Sequence, residues 1–257
     1  MRYINLTARA ALMTPAAIIL VASLPVMASE SDSRIEASAK NSYNFKTYLK
    51  DDTIKVDSSG GVVTLTGTVT QDYHKALAEE TVLGLPGVNR VNNQLAVIGE
   101  QPAERSDAWI TMKVKTVLAF HKNVSATDTE VTTQGGMVTL KGKADSEAQK
   151  QLTEEYAKDV EGVTMVHNYL VVAKPTNPPH ATLGEKVDDT SITAQIKTTL
   201  LFHKSTHSLA TKVVTRKGMV TLRGEAKNGA EKELVTKLAE DIKGVKHVSN
   251  RMTVRPS

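Results

Sequence analysis

Apolar residues in the middle of the chain recur at the spacing of an amphipathic helix. Within residues 106–120 they fall at i, i+4, i+7 and i+8, on Ile110, Val114, Val117 and Leu118. A stripe of this kind buries one helix face against a core. Ser106 and Asp107 precede the stripe, and both residue types are favoured N-caps. The pattern therefore predicts a helix over residues 106–120.

The period then changes from helical to alternating. Apolar and polar residues alternate around Val131 in residues 129–133 and again in residues 138–140, and Gly135-Gly136 separates the two runs. Two alternating runs joined by a glycine turn predict a β-hairpin.

A second helix and a third strand complete the unit. Residues 146–160 carry Leu152, Tyr156 and Val160 at four-residue steps, and Gly162 follows where a helix commonly ends. Residues 163–172 are rich in valine and predict a strand. The order is α-β-β-α-β, and the second helix is long enough to bring the third strand back parallel to the second. We expect an α/β (α+β) fold with two helices on one face of a three-stranded mixed sheet.

The same unit occurs three times along the chain. GGVVTLTG at residues 60–67 returns as GGMVTLKG at 135–142 and as KGMVTLRG at 217–224, so offsets of 75 and 82 residues align the copies. We expect tandem modules at residues 31–99, 106–174 and 188–257, with a proline-rich linker at 175–187. They are called modules 1, 2 and 3 below.

Residues that align in all three modules are expected to serve the fold. Asn93, Asn168 and Asn250 coincide, which predicts a side-chain hydrogen bond to nearby backbone in each module. The glycines that flank the strands and end the second helix are expected to be structural in the same way, and they are Gly61, Gly67, Gly87, Gly136, Gly142, Gly162, Gly218, Gly224 and Gly244.

The first helix of module 1 departs from the repeat. Ala39 and Tyr43 stand where the later modules have aliphatic residues, so we expect this helix to pack more loosely. Asn44 and Lys46 flank its phenylalanine, whereas the corresponding helices of modules 2 and 3 are followed by histidine.

The N-terminus has the pattern of a secretory signal peptide at residues 1–28. Arg2 and Arg9 are followed by a small and apolar run to residue 26, and Val26-Met27-Ala28 fits a cleavage site before Ser29. An uncleaved membrane anchor is the weaker alternative, because two prolines interrupt the apolar run. We therefore expect an exported chain, periplasmic in a Gram-negative cell.

Charge distinguishes module 3 from the other two. The net charges of modules 1, 2 and 3 are −1, −1 and +6. A polybasic surface attracts anionic lipid, and the proposed lipid-binding residues are Lys212, Arg216, Lys217, Arg223, Lys246 and Arg251. The alternative is that these cations are spread over an ordinary solvated surface.

Catalytic or ligand-binding chemistry finds little support in the sequence. The chain has no cysteine, which excludes disulfides, thiolate metal sites and cysteine nucleophiles. His121 and His203 align after the first helices. A metal pair across modules is conceivable for them, but capping or solvated histidines are the favoured interpretation. The acidic pairs Asp51-Asp52 and Glu79-Glu80 are interpreted as solvated. We therefore predict no catalytic residue, metal or cofactor. We also predict no nucleic-acid partner, because the chain is expected to be exported and only 4% of its residues are aromatic.

Two motifs resemble those of the BON domain family. One is the G-x-V-x-L-x-G strand that begins at Gly61, Gly136 and Gly218, and the other is the G-V-x-x-V-x-N element that ends at Asn93, Asn168 and Asn250. The resemblance implies a non-enzymatic role: peripheral binding to anionic phospholipid or envelope surfaces and support of envelope integrity under osmotic stress. Chaperoning of unfolded exported proteins, or an adaptor role, is the alternative that it implies.

Overall fold

A computed structural model of the chain describes residues 26–99, 102–124, 126–173, 186–206 and 211–255. The predicted signal peptide lies outside these ranges except for its last three residues. Of the predicted linker, only residues 186 and 187 are described. The first helix begins at Val26, three residues before the predicted cleavage site.

Each module has the predicted order of elements. Module 1 contains α1 (Val26–Asn41), α2 (Tyr43–Thr47), β1 (Thr53–Ser59), β2 (Val62–Val69), α3 (Asp72–Leu83), β3 (Arg90–Asn93) and β4 (Ala96–Val97). Module 2 contains α4 (Asp107–Phe120), β5 (Thr129–Gln134), β6 (Met137–Ala144), α5 (Glu147–Lys158) and β7 (Met165–Val172). Module 3 contains α6 (Asp189–Phe202), β8 (Thr211–Arg216), β9 (Met219–Ala226), α7 (Gly229–Glu240), β10 (His247–Asn250) and β11 (Thr253–Val254).

The three sheets are mixed, as the sequence predicts. In module 2, β5 and β6 form an antiparallel hairpin and β7 runs parallel to β6 on its other side. Modules 1 and 3 have the same topology, with the last strand divided into β3 and β4 or into β10 and β11. The α+β class and the three tandem modules are confirmed.

The helices pack on one face of each sheet and on the helices of other modules. The first helix of module 2 starts at the predicted N-cap, where Ser106 Oγ accepts a hydrogen bond from the backbone N–H of Trp109. Its stripe, including Ile110 and Val114, is buried. Both α3 and α4 pack against α6, so buried side chains of all three modules form one continuous core. The opposite face of each sheet, called its outer face below, carries the exposed strand positions.

The first helix of module 1 is divided, which the sequence did not predict. The helix divides at Ser42, whose hydroxyl donates to the Ala39 carbonyl at 2.7 Å and accepts from the Phe45 N–H at 3.4 Å. Ser42 thereby caps the separate helix α2. Ala39 itself is completely buried.

The aligned asparagines have the predicted structural role. Asn168 Nδ2 donates to the Lys150 carbonyl on α5 at 2.9 Å, and its Oδ1 accepts from the Leu170 N–H at 3.1 Å. Asn93 and Asn250 make the same two contacts in modules 1 and 3. Each asparagine therefore ties the last strand to the second helix.

The aligned glycines adopt backbone conformations that other residues rarely tolerate. All nine have φ between 76° and 129°. At Gly142, where φ is 127°, a Cβ would also overlap the carbonyl oxygen of Asp128. Glycine is therefore required at residue 142 for two reasons: the two hairpin strands approach closely there, and φ is positive.

Replacing Gly142 with alanine is expected to destabilise module 2 by about 2–4 kcal/mol, because backbone would have to move away from the new methyl group. Gly135→Ala is the matched control. Gly135 has φ of 58° with open space around it, so its cost is about 1–2 kcal/mol. Chemical denaturation of both variants measures the difference, and equal costs would contradict the steric explanation.

Candidate functional site

A row of three cations crosses the outer face of the module 3 sheet. Lys212 on β8 lies opposite Arg223 on β9 in the antiparallel ladder. On the other side of β9, the Arg251 N–H donates to the Leu222 carbonyl at 2.8 Å, which places Arg251 next to Arg223. All three side chains are exposed. Alternation along the strands thus brings together cations that are far apart in sequence.

The other three predicted residues lie towards one end of this sheet. Arg216 is on the same face, opposite Met219. Lys217 occupies the hairpin turn with φ of 53°, and its N–H donates to Asp189 at 2.5 Å. Lys246 lies beside Gly218. The structure therefore groups four of the six predicted residues on one face and places Lys217 and Lys246 at its end, next to acidic side chains.

Three other cations of module 3 form ion pairs. Lys237 pairs with Glu233 at 2.8 Å, and Arg255 pairs with Glu225 at 3.0 Å. Lys197 instead reaches Glu80 of module 1 at 2.6 Å. Among the described residues, no carboxylate lies within ion-pair distance of Lys212, Arg223 or Arg251. Their charge is available to an external anion.

The complete row is not repeated in modules 1 and 2, although Lys212 corresponds to Lys55 in module 1. Arg223 and Arg251 correspond to Thr66 and Gln94 in module 1. In module 2 they correspond to Lys141 and Tyr169. The fold does not require cations at these positions, so the basic row is a property of module 3.

A second site, buried between modules 2 and 3, was not predicted. His121 follows α4 and forms a bridge with Ile242 of module 3, while His203 follows α6 and forms a bridge with Val160 of module 2. His203 Nδ1 lies 2.8 Å from Asp159 Oδ2, and His121 Nδ1 lies 3.0 Å from Asp241 Oδ2. Each module thus contributes one histidine and one aspartate to a reciprocal contact, called the histidine–aspartate contact below.

Tyr156 makes the two halves of the contact unequal. Its ring stacks on His121 at 3.9 Å between centroids, and its hydroxyl donates to Asp241 at 2.8 Å. Leu238 occupies the aligned position in module 3. Burial raises the pKa of the Tyr156 phenol, and the neighbouring Asp241 carboxylate adds to this effect. The tyrosine therefore stays protonated and serves as a donor.

His121 and His203 occupy the C-cap positions of α4 and α6, as the capping interpretation predicts, but they are not solvated. Their exposed fractions are 0% and 2%. Burial lowers the pKa of His121, with Asp241 opposing the shift and His203 and Lys243 adding to it. Although burial opposes it, hydrogen bonds from His203 and Ser205 hold the pKa of Asp159 below its usual range. The contact consequently contains a neutral His121 and an ionised Asp159.

Acidification is expected to weaken the folded chain through His121. Because its pKa is lowered, the unfolded chain takes up a proton near the ordinary pKa of 6.5 while the folded chain does not. The contribution of His121 to the free energy of unfolding is therefore fully present above about pH 6.5. It decreases as the pH falls further, by at most about 1.4 kcal/mol per pH unit for one group.

Thermal unfolding above and below that pH measures this decline. His121→Phe keeps the ring beside Tyr156 and removes the titration, so its melting temperature should fall less on acidification. His74, whose pKa is also lowered by burial, is common to both proteins. Identical pH profiles for the two proteins would exclude His121 as the titrating group.

The acidic pairs are also less solvated than expected. The Asp52 side chain is fully buried, and its Oδ2 lies 2.5 Å from His74 Nδ1. Glu79 accepts from Asn93, and Glu80 bonds Lys197 across the contact between modules 1 and 3. Asp52, Glu79 and Glu80 are therefore structural ion-pair or hydrogen-bond partners, whereas Asp51 is exposed, as predicted. Among the described residues, no group of three or more His, Asp or Glu side chains is placed to hold a metal ion.

Comparison with known proteins identifies the modules. The sequence model of the BON domain matches residues 31–99, 106–174 and 188–256. The chain belongs to the BON domain family. It is 35% identical to osmotically-inducible protein Y of Escherichia coli K12 over 149 residues, which are 58% of this chain and 73% of that protein. It is 28% identical to outer membrane lipoprotein DolP of Haemophilus influenzae over 138 residues, which are 52% of this chain and 71% of that protein.

A solved structure of CdsD, a structural protein of the type III secretion system of Chlamydia trachomatis, is similar to 89% of this BON-domain chain and to 93% of its own chain. The TM-score is 0.24 at 15% sequence identity.

No helix within the described residues combines the length and apolarity needed to span a bilayer.

Proposed function

We propose that this BON-domain protein acts by binding, as a periplasmic protein that contacts anionic phospholipid at the cell envelope. The contact surface is the outer face of the module 3 sheet, and the contact supports the envelope under osmotic stress. The observation that carries the proposal is the row formed by Lys212, Arg223 and Arg251, three exposed cations without a carboxylate partner among the described residues.

Physical chemistry supports an anionic surface as the partner. Each Lys or Arg near an anionic membrane contributes about 1 kcal/mol, and the attraction decays within about 10 Å at ordinary ionic strength. Three cations on one sheet face can approach such a surface together. Cations distributed around the module could not.

Relatives with envelope-related names support the same setting. One relative is described as osmotically inducible and another as an outer membrane lipoprotein. The alternative proposal, a periplasmic chaperone or adaptor for exported proteins, requires exposed apolar surface, and module 2 provides some: Met165, Tyr169 and Val171 are each more than half exposed.

Vesicle co-sedimentation tests the proposal with the mature chain, meaning the chain from Ser29 onward. It should sediment with phosphatidylglycerol vesicles at low salt, be released at high salt, and remain in solution with phosphatidylcholine vesicles. Equal recovery with both lipids would exclude electrostatic binding. Suppression of aggregation of a denatured outer-membrane protein, without vesicle binding, would favour the chaperone alternative instead.

A further inference from the structure

The outer face of the module 2 sheet carries four exposed apolar residues, although Thr132, Thr139 and His167 make its centre polar. Met137 and Met165 are neighbours in the parallel β6–β7 ladder, and their exposed fractions are 41% and 52%. Tyr169 and Val171 follow along the same face of β7, with exposed fractions of 61% and 65%. The half-buried His167 lies between Met165 and Tyr169 on this face, and its ring stacks on that of Tyr169. The four apolar residues are called the apolar strip below. Clusters of exposed apolar residues commonly mark an interaction surface.

The fold itself does not require an apolar strip. In module 1, the positions aligned with Met165, Tyr169 and Val171 are Arg90, Gln94 and Ala96. In module 3 they are His247, Arg251 and Thr253. The position of Met137 is apolar in all three modules, with Val62 and Met219 at the aligned positions. The three apolar residues on β7 are therefore the feature specific to module 2.

Lysines flank the apolar strip on one side. Lys141 and Lys143 on β6 lie opposite Tyr169 and Val171, and both are exposed. On the other side of β6, Glu130 on β5 lies opposite Lys141. Among the described residues, neither ammonium has a carboxylate within ion-pair distance. Aliphatic side chains, a tyrosine with a polar tip and adjacent lysines form the combination that is stable at the boundary between headgroups and acyl chains.

The backbone edge of β7 disfavours a different occupant, an extended peptide added as a further strand. Such a strand needs free N–H groups along the edge. The Leu170 N–H, in the middle of β7, already donates to Asn168 Oδ1 at 3.1 Å. The side-chain face of β7 is therefore a better contact surface than its edge.

We propose that the outer face of module 2 is a second membrane contact, in which the apolar strip enters the headgroup region of an anionic bilayer while Lys141 and Lys143 face lipid phosphates. This second contact rests on the proposed function, because its partner is the same anionic membrane. It differs from the module 3 contact in its residues and in the force that drives binding. Binding through module 3 is electrostatic and salt-sensitive, whereas burial of the apolar strip resists salt.

The cysteine-free sequence allows one environment-sensitive fluorophore to be placed on each outer face. Thr132 is at the centre of the module 2 face, opposite Thr139, which in turn lies opposite His167. The aligned positions are Asp57 in module 1 and Val214 in module 3. Three proteins, each with a single cysteine at one of these positions, are labelled and mixed with phosphatidylglycerol vesicles.

The label at Thr132→Cys should shift to the blue and stay shifted at high salt, and the label at Asp57→Cys should not shift. Tyr169→Gln with Val171→Thr introduces residue types that modules 1 and 3 carry at these positions, so the sheet is preserved. These changes should weaken the salt-resistant partitioning of the Thr132→Cys protein about tenfold.

Each other outcome has a distinct meaning. A response at Val214→Cys without one at Thr132→Cys would overturn the module 2 contact and leave the proposed function standing. No response at either position would overturn both. A blue shift at Thr132→Cys that grows with protein concentration in the absence of vesicles would show that a second copy covers the strip, and it would also overturn the membrane contact.

Discussion

Asp241→Ala is expected to destabilise the folded chain by about 3–5 kcal/mol, the cost of removing one member of a buried charged hydrogen-bond network. Asp241 accepts from the Tyr156 hydroxyl and from Asn123 Nδ2, and it lies beside His121. Its exposed fraction is 4%. Tyr156 and His121 would remain buried with no replacement acceptor, whereas Asn123 is exposed. Chemical denaturation measures the cost.

Two variants control this prediction. Asp159→Ala changes the reciprocal position, which contacts His203 and Ser205 but no tyrosine and is partly exposed, so its cost should be smaller, about 1–3 kcal/mol. Glu240→Ala alters the exposed neighbour and should change stability by no more than about 0.5 kcal/mol. A cost below about 1 kcal/mol for Asp241→Ala would show that modules 2 and 3 do not depend on the histidine–aspartate contact.

Neutralising the cation row should have the largest effect on binding. The triple variant Lys212→Gln, Arg223→Thr and Arg251→Gln removes three charges, and the last two changes introduce the residues that module 1 carries at these positions. At about 1 kcal/mol per cation, the affinity for phosphatidylglycerol vesicles at low salt should fall roughly 100-fold. Co-sedimentation over a range of lipid concentrations measures the change.

The matched control removes the same number of charges elsewhere on module 3. Lys227→Gln, Lys232→Gln and Lys237→Gln lie at or within α7, on the helical side of the module. This variant should bind nearly as well as the parent chain. Equal losses for the two triple variants would mean that net charge, and not the outer sheet face, determines binding.

The fold of each module could be predicted from the sequence because three copies report the same pattern. Burial periodicity located the helices and strands, and the aligned glycines marked positions where φ is positive. The divided first helix of module 1 was not predicted, because a serine that caps α2 is locally indistinguishable from one inside a helix.

The contacts between modules could not be derived from periodicity within one module. Asn44 is an example: it departs from the repeat, and its fully buried amide bonds Thr81 and, in module 3, Gln195 at 2.8 Å each. Asn44, a residue that departs from the repeat, therefore forms part of the contact between modules 1 and 3.

A comparison between copies did contain the signal for the histidine–aspartate contact. Modules 2 and 3 share a histidine after the first helix and an aspartate after the second, whereas module 1 has Lys46 and Gly84 at these positions. The histidine and the aspartate are both present in modules 2 and 3 and both absent from module 1, which indicates that the two residues act together. The partner of each histidine, however, lies in another module, and only the structure joins them.

The cation row was partly visible in the sequence. Net charge identified module 3, but the common face of Lys212, Arg216 and Arg223 was not predicted, although alternation along β8 and β9 explains it. The separation of Lys217 and Lys246 from that face followed from the turn geometry, in which Asp189 accepts from the backbone N–H groups of Lys217 and Gly218.

Amine footprinting of the mature chain tests the membrane-contact surface most directly. Lys212 lies in the cation row, and Lys237 lies on α7 with its side chain 67% exposed. With phosphatidylglycerol vesicles at low salt, acetylation of Lys212 should slow several-fold while that of Lys237 stays unchanged, and high salt should restore the rate at Lys212. Equal protection of the two lysines, or none at Lys212 in vesicle-bound protein, would contradict contact through the outer face of module 3.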